Sequence, residues 1–248
     1  MTPTVKGTTP PGAADEQQAA RWVRQMFGRV APRYDLANHV LSFNIDKYWR
    51  WRTVRRVAHI LERPEAVVVD LCCGTGDLML ALEARRGAPV LGSDFCHPML
   101  EAAINKVNGR NRGSKVFESD ALRLPLAGGS CDLLTVAFGF RNFANYRKGL
   151  EEMLRVIKPR GMVAILEFST PPNPVFRNLY QFYSRHVLPR IGGLLSGAPD
   201  AYTYLPESVK KFPDAPELAV EMRQAGYRNV RFERMTGGIV ALHTGEAP

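Results

Sequence analysis

The spacing of apolar positions changes near residue 65. From about Gln17 to Ile60 the pattern reads as helical, with a break at Ala31-Pro32. From Val67 onward, short apolar runs alternate with helical stretches. VVVDL precedes a helix from about Asp77 to Arg86, PVLGSD a helix from about Pro98 to Val107, and KVFESD and CDLLTVAF follow. A helix from about Tyr146 to Ile157 leads into MVAILEF, and VRFERM and GIVALHTG look like a closing strand pair. Such alternation predicts an α/β fold with a parallel sheet built of right-handed crossover units. Between MVAILEF and the closing pair lies a long aromatic-rich insertion, residues 173–212. The first 18 residues, rich in Pro, Gly, Thr and Ala, read as a disordered tail. The expected organisation is therefore a tail over 1–18 and one domain over 19–248, with a helical cap at 19–62.

Composition fits that picture. At 248 residues and 45% hydrophobic, the chain suits one sizeable core. No apolar run reaches the roughly 18 to 20 residues that span a bilayer, and the N-terminus lacks the charged start and apolar centre of a signal peptide. A cytoplasmic location follows, with the four cysteines reduced. The net charge of +9 (33 basic against 24 acidic residues) points either to a plain solvated surface or to an anionic partner. Lys47 to Arg56, KYWRWRTVRR, puts basic charge beside two tryptophans, which suits lipid head groups or a phosphate backbone.

The candidate chemistry centres on VVVDLCCGTGD, Val67 to Asp77. Adjacent cysteines point to opposite faces of an extended chain, and Cys96 and Cys131 add no C-x-x-C spacing, so no metal site is expected. Cys72 and Cys73 read as small residues at a crowded turn. A dinucleotide fingerprint fails because Met79 stands where a third glycine belongs, and Asp77 at the helix mouth would repel a pyrophosphate. No Lys-Ser/Thr pair makes a P-loop. A nucleoside without phosphates fits better, and S-adenosylmethionine is one. Asp70 suits its ammonium group, and Gly74 and Gly76 allow close backbone approach. Asp94, ending the next strand, suits the ribose hydroxyls, and Asp120-Ala121, ending a third, suits the adenine amino group. Three acids at three successive strand tips read as a methyl-donor site.

Three stretches then resemble the C-methyltransferases of menaquinone and ubiquinone biosynthesis (the MenG/UbiE family). Tyr34 to Trp49, YDLANHVLSFNIDKYW, is similar to the family signature Y-D-x-M-N, then S, then H-x-x-W, with Ala37 for Met and Asp46 for His. Arg155 to Ser169 matches a second signature except at Arg160, where Gly is common, and SRHVLPRIGGLLSGAPDAYTYLPESV and TGGIVALHTG follow the family closely. The resemblance implies a Rossmann-like class I methyltransferase fold: a mostly parallel seven-stranded sheet with its last strand antiparallel and helices on both faces. It implies donor contacts at Thr75, Asp94 and Asp120-Ala121, and the loss of one at Ala137, where the family has Ser. The implied reaction methylates a ring carbon of demethylmenaquinol, or of a polyprenyl methoxybenzoquinol in ubiquinone-making organisms.

Methyl transfer to carbon needs ring carbon and methyl held about 3 Å apart and aligned, and a group that takes or shares a quinol proton. Arg141 and Asn142, in FGFRN after the fourth strand, are the first candidates; Arg141 suits quinolate stabilisation better than proton abstraction. His186 is the alternative base, set against a structural histidine in an amphipathic helix, and Tyr34 and Asp35 can reach over the pocket. Phe176, Leu179, Tyr180, Tyr183 and Val187 recur at helical spacing, as core or as the lining of a channel for a polyprenyl tail. The expected partners are a polyprenylated quinol and the anionic inner face of the cell membrane, held peripherally. A homodimer is left open. A nucleic-acid methyltransferase is the competing reading, but the Asn/Asp-Pro-Pro-Tyr/Phe turn that base methylation uses is replaced by FGFRN.

Overall fold

The computed structural model describes residues 7–110, 113–196 and 199–248. Seven strands form one sheet in the order β3-β2-β1-β4-β5-β7-β6. They are β1 (Val68–Leu71), β2 (Leu91–Asp94), β3 (Lys115–Glu118), β4 (Cys131–Ala137), β5 (Ile157–Phe168), β6 (Arg228–Met235) and β7 (Val240–Glu246). β7 runs antiparallel to both β5 and β6, and the other pairs are parallel. Strand side chains alternate between two cores, as the period of two requires. Val69, Leu71, Leu134 and Val136 pack with α7 (Tyr146–Val156) and α11 (Ala215–Gln224) on one face. Val68, Leu133, Ala164 and Leu166 pack with α3 (Ile45–Arg56), α4 (Ala58–Leu61) and α5 (Asp77–Arg86) on the other. Helices thus cover both faces, as expected.

A third cluster joins the cap to the insertion. Val23, Met26 and Val30 of α1 (Glu16–Val30) and Ala37 and Leu41 of α2 (Tyr34–Leu41) are buried against Leu188 and Tyr204. Cys96 and Met99, at the start of α6 (His97–Gly109), complete it. The insertion is helical: α8 (Pro174–Phe182), a π-helical turn (Tyr183–Val187), α9 (Leu188–Ser196) and α10 (Pro199–Lys211). Neither segment could bury its apolar stripe alone. Together they roof the strand ends.

The expected tail needs correction. Residues 1–6 lie outside the described residues, but Thr8 is buried, its N–H bonding the Phe143 carbonyl at 2.8 Å. Asp15 caps α1 by accepting from the Gln18 N–H, so the helix begins inside the expected tail. Local composition misled here because the partners of residues 7–9 are more than 130 residues away.

Arg160 explains its own mismatch with the family signature. It sits at φ 63°, in the left-handed region where a Cβ crowds the backbone. Arg160→Gly is therefore expected to stabilise the protein by about 1 kcal/mol, raising Tm by about 2 to 4 °C in a calorimetric scan. An unchanged or lower Tm would contradict the assignment of strain.

Candidate active site

The site lies at the switch point, where β1 and β4 sit side by side and their following helices depart to opposite faces. Both strands end in residues with left-handed backbone, Cys72 at φ 50° and Phe138 at φ 58°. A Cβ on Gly139 would lie 2.3 Å from the Cys72 Cβ, so only glycine lets the two strand tips come this close. Cys73 is buried with its sulfur against Gly92, and burial raises both thiols well above their usual pKa. All four cysteines are free. The cysteine pair is therefore packing at a tight joint.

Two connected cavities open there. The smaller, about 70 Å³, is lined by Asp94, Ser119, Asp120, Ala121 and Asn142. The larger, about 450 Å³, is lined by Asp70, Thr75, Arg141 and many aromatic residues. Phe27, Tyr34, Cys72, Gly74, Ala137 and Phe138 line both and mark the junction.

The three strand-tip acids divide between the cavities, Asp70 in the wall of the larger and Asp94 and Asp120 in that of the smaller. Asp94 accepts from the Gly74 and Cys96 N–H groups, each at 2.9 Å, which locks the glycine turn to the tip of β2. Its carboxylate retains accepting capacity beyond those two bonds. Burial raises its pKa to about 6. Asp70 is 1% exposed and takes the Thr135 hydroxyl at 2.6 Å, while its Oδ2 has no hydrogen-bond partner; burial raises its pKa to about 7. A buried carboxylate oxygen without a partner beside a cavity suits a cationic group. Asp120 is more exposed and turns its Oδ1 to the Leu122 N–H.

Other predicted donor residues are arranged differently. Gly76, at φ 86°, is absent from both linings; a Cβ there would meet Met79 and Ala103, so its role is to let α5 start close against α6. Thr75 lines the larger cavity, but its hydroxyl already donates to Asp35 at 2.5 Å and accepts from Lys106 at 3.0 Å. Asp35 turns away from the cavities and pairs with Lys106. Asp77 is the centre of a charge cluster missed from sequence. Arg50 lies 3.1 Å and Lys106 2.7 Å from its oxygens, and against the effect of burial they hold it below the usual carboxylate range. His39, Asp46 and Asp77 offer one ligand atom each within 4.8 Å of one another among the described residues, and Arg50 pairs with both acids.

The larger cavity is aromatic. Phe138 and Phe168 have ring centroids 4.9 Å apart, with Trp49 at 5.9 and 6.2 Å from them. Arg141 lies over Phe168 and is 6% exposed; its Nη1 donates to Glu167 at 2.8 Å and to the Phe138 carbonyl at 2.6 Å. Burial works against its charge, but Glu167 together with the Tyr34 and Tyr204 phenols outweighs it, and the guanidinium pKa is raised. Its Nε is buried with no partner. Asn142 lies on the smaller side, its Oδ1 taking the Tyr204 hydroxyl at 3.0 Å. Burial, against the nearby Arg141, raises the Tyr34 pKa, so its phenol stays neutral as a donor. Glu167 and Tyr204 were missed. Nothing local in the sequence marks them.

His186 does not join this group. It is exposed on the π-helical turn, its ring tilted against Phe182 with centroids 5.0 Å apart, and lines neither cavity. The aromatic stripe holds as expected through Phe176, Leu179, Tyr180 and Tyr183, all in the lining. Beyond it the wider π turn shifts the phase by one residue, so Leu188 faces inward in place of Val187.

The sequence pattern of the ubiE/COQ5 methyltransferase family matches residues 13–247. The chain belongs to that family. A demethylmenaquinone methyltransferase of Thermus thermophilus is 47% identical, over 90% of this chain and all of its own length. One from Deinococcus radiodurans is 44% identical over 95% and 97% of the two chains. A ubiquinone/menaquinone biosynthesis C-methyltransferase of Syntrophotalea carbinolica is also 44% identical, over 90% and 92%. Among solved structures, a SAM-dependent methyltransferase from Aquifex aeolicus aligns with TM-score 0.55 at 21% identity, over 74% and 82% of the two chains. The [4+2]-cyclase SpnF reaches 0.69 at 13% identity over 98% and 99%. At such identities these two share the fold alone. Against the ubiE/COQ5 signature, Ala37 is fully buried between the cap and the insertion, and Asp46 ties Ser42, His39 and Arg50 together. An acid in place of the usual His thus anchors Arg50 beside Asp77.

Two predictions follow from the buried acids. Charged hydrogen bonds contribute roughly 1.5 to 3 kcal/mol, so Asp94→Ala should weaken S-adenosylmethionine binding by about tenfold to a hundredfold; unchanged affinity by calorimetry would reject the contact. A bound cation favours the ionised acids, so donor affinity should weaken as pH falls through about 7 and then about 6. The unliganded protein should behave oppositely. Both acids hold protons more tightly folded than unfolded, so their stabilising contribution is greatest below about pH 4 and is lost as pH rises through about 6 and 7. A donor affinity flat between about pH 5 and 8 would contradict the assignment.

Proposed function

We propose that the chain transfers the methyl group of S-adenosylmethionine to a ring carbon of demethylmenaquinol, giving menaquinol. The observation that carries this reading is the joining of an acid-tipped cleft to an aromatic cavity walled by Arg141. The names of the Thermus and Deinococcus relatives support the substrate.

In this mechanism Asp70 Oδ2 receives the donor's ammonium, Asp94 the ribose hydroxyls and Asp120 the adenine amino group. The methyl then lies at the junction, beside Tyr34 and Phe138. Phe138, Phe168 and Trp49 hold the quinol ring against that junction. A quinol hydroxyl has a reference pKa near 10, like a phenol. Arg141 favours its ionised form, which raises electron density on the ring carbon. A carbon–methyl bond forms as the sulfur–methyl bond breaks, the neutral thioether leaves, and the ring carbon gives up its proton to restore aromaticity. As the ring carbon loses its proton the quinol oxygen regains one, so menaquinol forms and one proton is released to solvent per methyl transferred. Tyr34 donates a hydrogen bond without serving as base. No step calls on a metal, and turnover is expected to survive a chelator.

The lipid side of the reading rests on the cavity mouth. Phe43 and Leu179 belong to the lining and are strongly exposed, Val175, Phe182 and Leu194 are exposed on the helices of the insertion, and Phe43 lies 6.3 Å from Tyr183 in the lining. Lys47, Arg55 and Arg56 are exposed one to three turns along α3. Among the described residues no helix is long and apolar enough to cross a membrane. An apolar rim with flanking cations suits peripheral docking on anionic lipid, where a polyprenyl tail can enter sideways.

Losing one positioned donor typically costs a hundredfold to a thousandfold in rate. Arg141→Lys keeps a cation beside Glu167 but loses the fork; it should lower kcat by about a hundredfold with donor affinity near normal. Unchanged turnover would remove Arg141 from the mechanism. The deciding assay offers demethylmenaquinone in anionic vesicles with and without a reductant, alongside an RNA acceptor. Methyl transfer should require the reductant and fall as salt rises. Transfer to RNA, or equal transfer to the oxidised quinone, would overturn the reading.

A further inference from the structure

We infer that Thr8 and Tyr204 are positioning residues that orient the Asn142 amide, so that residues 7–9 form part of the catalytic apparatus. This rests on the methyl-transfer reading above and adds to it that Asn142, a wall residue of the smaller cavity and a candidate from the sequence, acts in that transfer.

The argument starts from an acceptor. The Phe138 carbonyl can only accept, and Asn142 Nδ2 is placed toward it at 3.4 Å. That puts Asn142 Oδ1 on the Tyr204 hydroxyl, 3.0 Å away, and Tyr204 must donate. Having given its one proton, Tyr204 accepts from the Thr8 hydroxyl at 2.6 Å. The chain of bonds therefore runs one way, Thr8 to Tyr204 to Asn142, and the amide presents its nitrogen beside the junction residue Phe138. A flipped amide would set two carbonyl oxygens against each other. Burial keeps the Tyr204 phenol protonated, as this direction requires.

The docking of the N-terminal segment is specific. A Cβ on Gly7 would stand 2.1 Å from the Ala144 carbonyl oxygen, a backbone atom that cannot step aside. Thr8 N–H bonds the Phe143 carbonyl at 2.8 Å, and Lys211 donates to both oxygens of Thr9 at 3.1 and 3.3 Å. Glu16 takes Asn145 and Lys148, each at 2.9 Å. The segment thus runs along residues 143–148 from Gly7 to the first turn of α1. Tyr204 is held from its other side by Trp22, with ring centroids 4.9 Å apart.

The test is a set of variants in the full chain, assayed for kcat, donor affinity and thermal stability. Tyr204→Phe should lower kcat by about tenfold and Thr8→Val by about threefold, the scale of one neutral hydrogen bond. Donor affinity should change less than kcat in both. Thr8→Ser should restore most of the rate, and Gly7→Val should mimic Thr8→Val. In an Asn142→Ala background, Thr8→Val and Tyr204→Phe should have no further effect on kcat, because both act through the missing amide. A merely structural role would lower kcat or stability equally in both backgrounds, and that result overturns the proposal. So does full activity of Thr8→Val and Tyr204→Phe when Asn142→Ala is impaired. Full activity of Asn142→Ala alone would instead sink the role of Asn142 on which the proposal stands.

Discussion

The site depends on the close approach of the β1 and β4 tips, where the Cys72 Cβ rests on Gly139. Neighbouring strands normally leave room for side chains at their ends. Here two consecutive strands of the sheet end in left-handed residues, and the chain leaves in opposite directions. That divergence opens the cleft. It sets the glycine turn on one side and the Phe138–Asn142 loop on the other. Left-handed backbone at a non-glycine residue is strained, and such strain persists only where packing over-determines it. The sheet cores on both faces provide that constraint.

Charge arrangement follows from this geometry. Acids at the tips of β1 and β2 are driven into a poorly hydrated cleft, where burial raises their pKa values. A cation is the ligand that such groups lack. On the acceptor side the sign is reversed. Arg141 is buried but held ionised by Glu167, with one N–H free of any partner. One fold thus sets two buried acids and a buried cation around the same strand tips, the arrangement that the proposed methyl transfer would use. Lys106 and Arg50 neutralise Asp77 between the cap and the donor turn, so the carboxylate nearest the helix mouth is not itself an open anion.

The larger cavity is built mostly by the cap and the insertion. A cyclase aligns over nearly its whole length, so the sheet by itself says little about chemistry. The helical insertion and the cap do more. They roof the cleft with aromatic residues and leave an apolar rim at its mouth. Their packing on each other, through Met26, Leu41, Leu188 and Tyr204, explains why neither reads as a stable unit alone.

The sequence by itself determined the strands, the donor turn and the three acids, because each depends on local period and on residues a few positions apart. The span of α5, Asp77 to Arg86, was legible to the residue, since Gly76 and Gly87 both take left-handed backbone at its ends. That Arg141 and Asn142 would wall the cavities was legible from their place after the fourth strand. What only the tertiary structure decided are pairings across more than a hundred residues: Thr8 with Tyr204, Trp49 with Thr236, the cap with the insertion. His186 fell outside the cavity because a single π turn rotated the helix beyond Tyr183. Thr8 came inside because a backbone N–H will pair with any carbonyl that the fold brings near, whatever the composition around it. Periodicity records which face of an element is apolar. It carries no information on which distant element will cover that face.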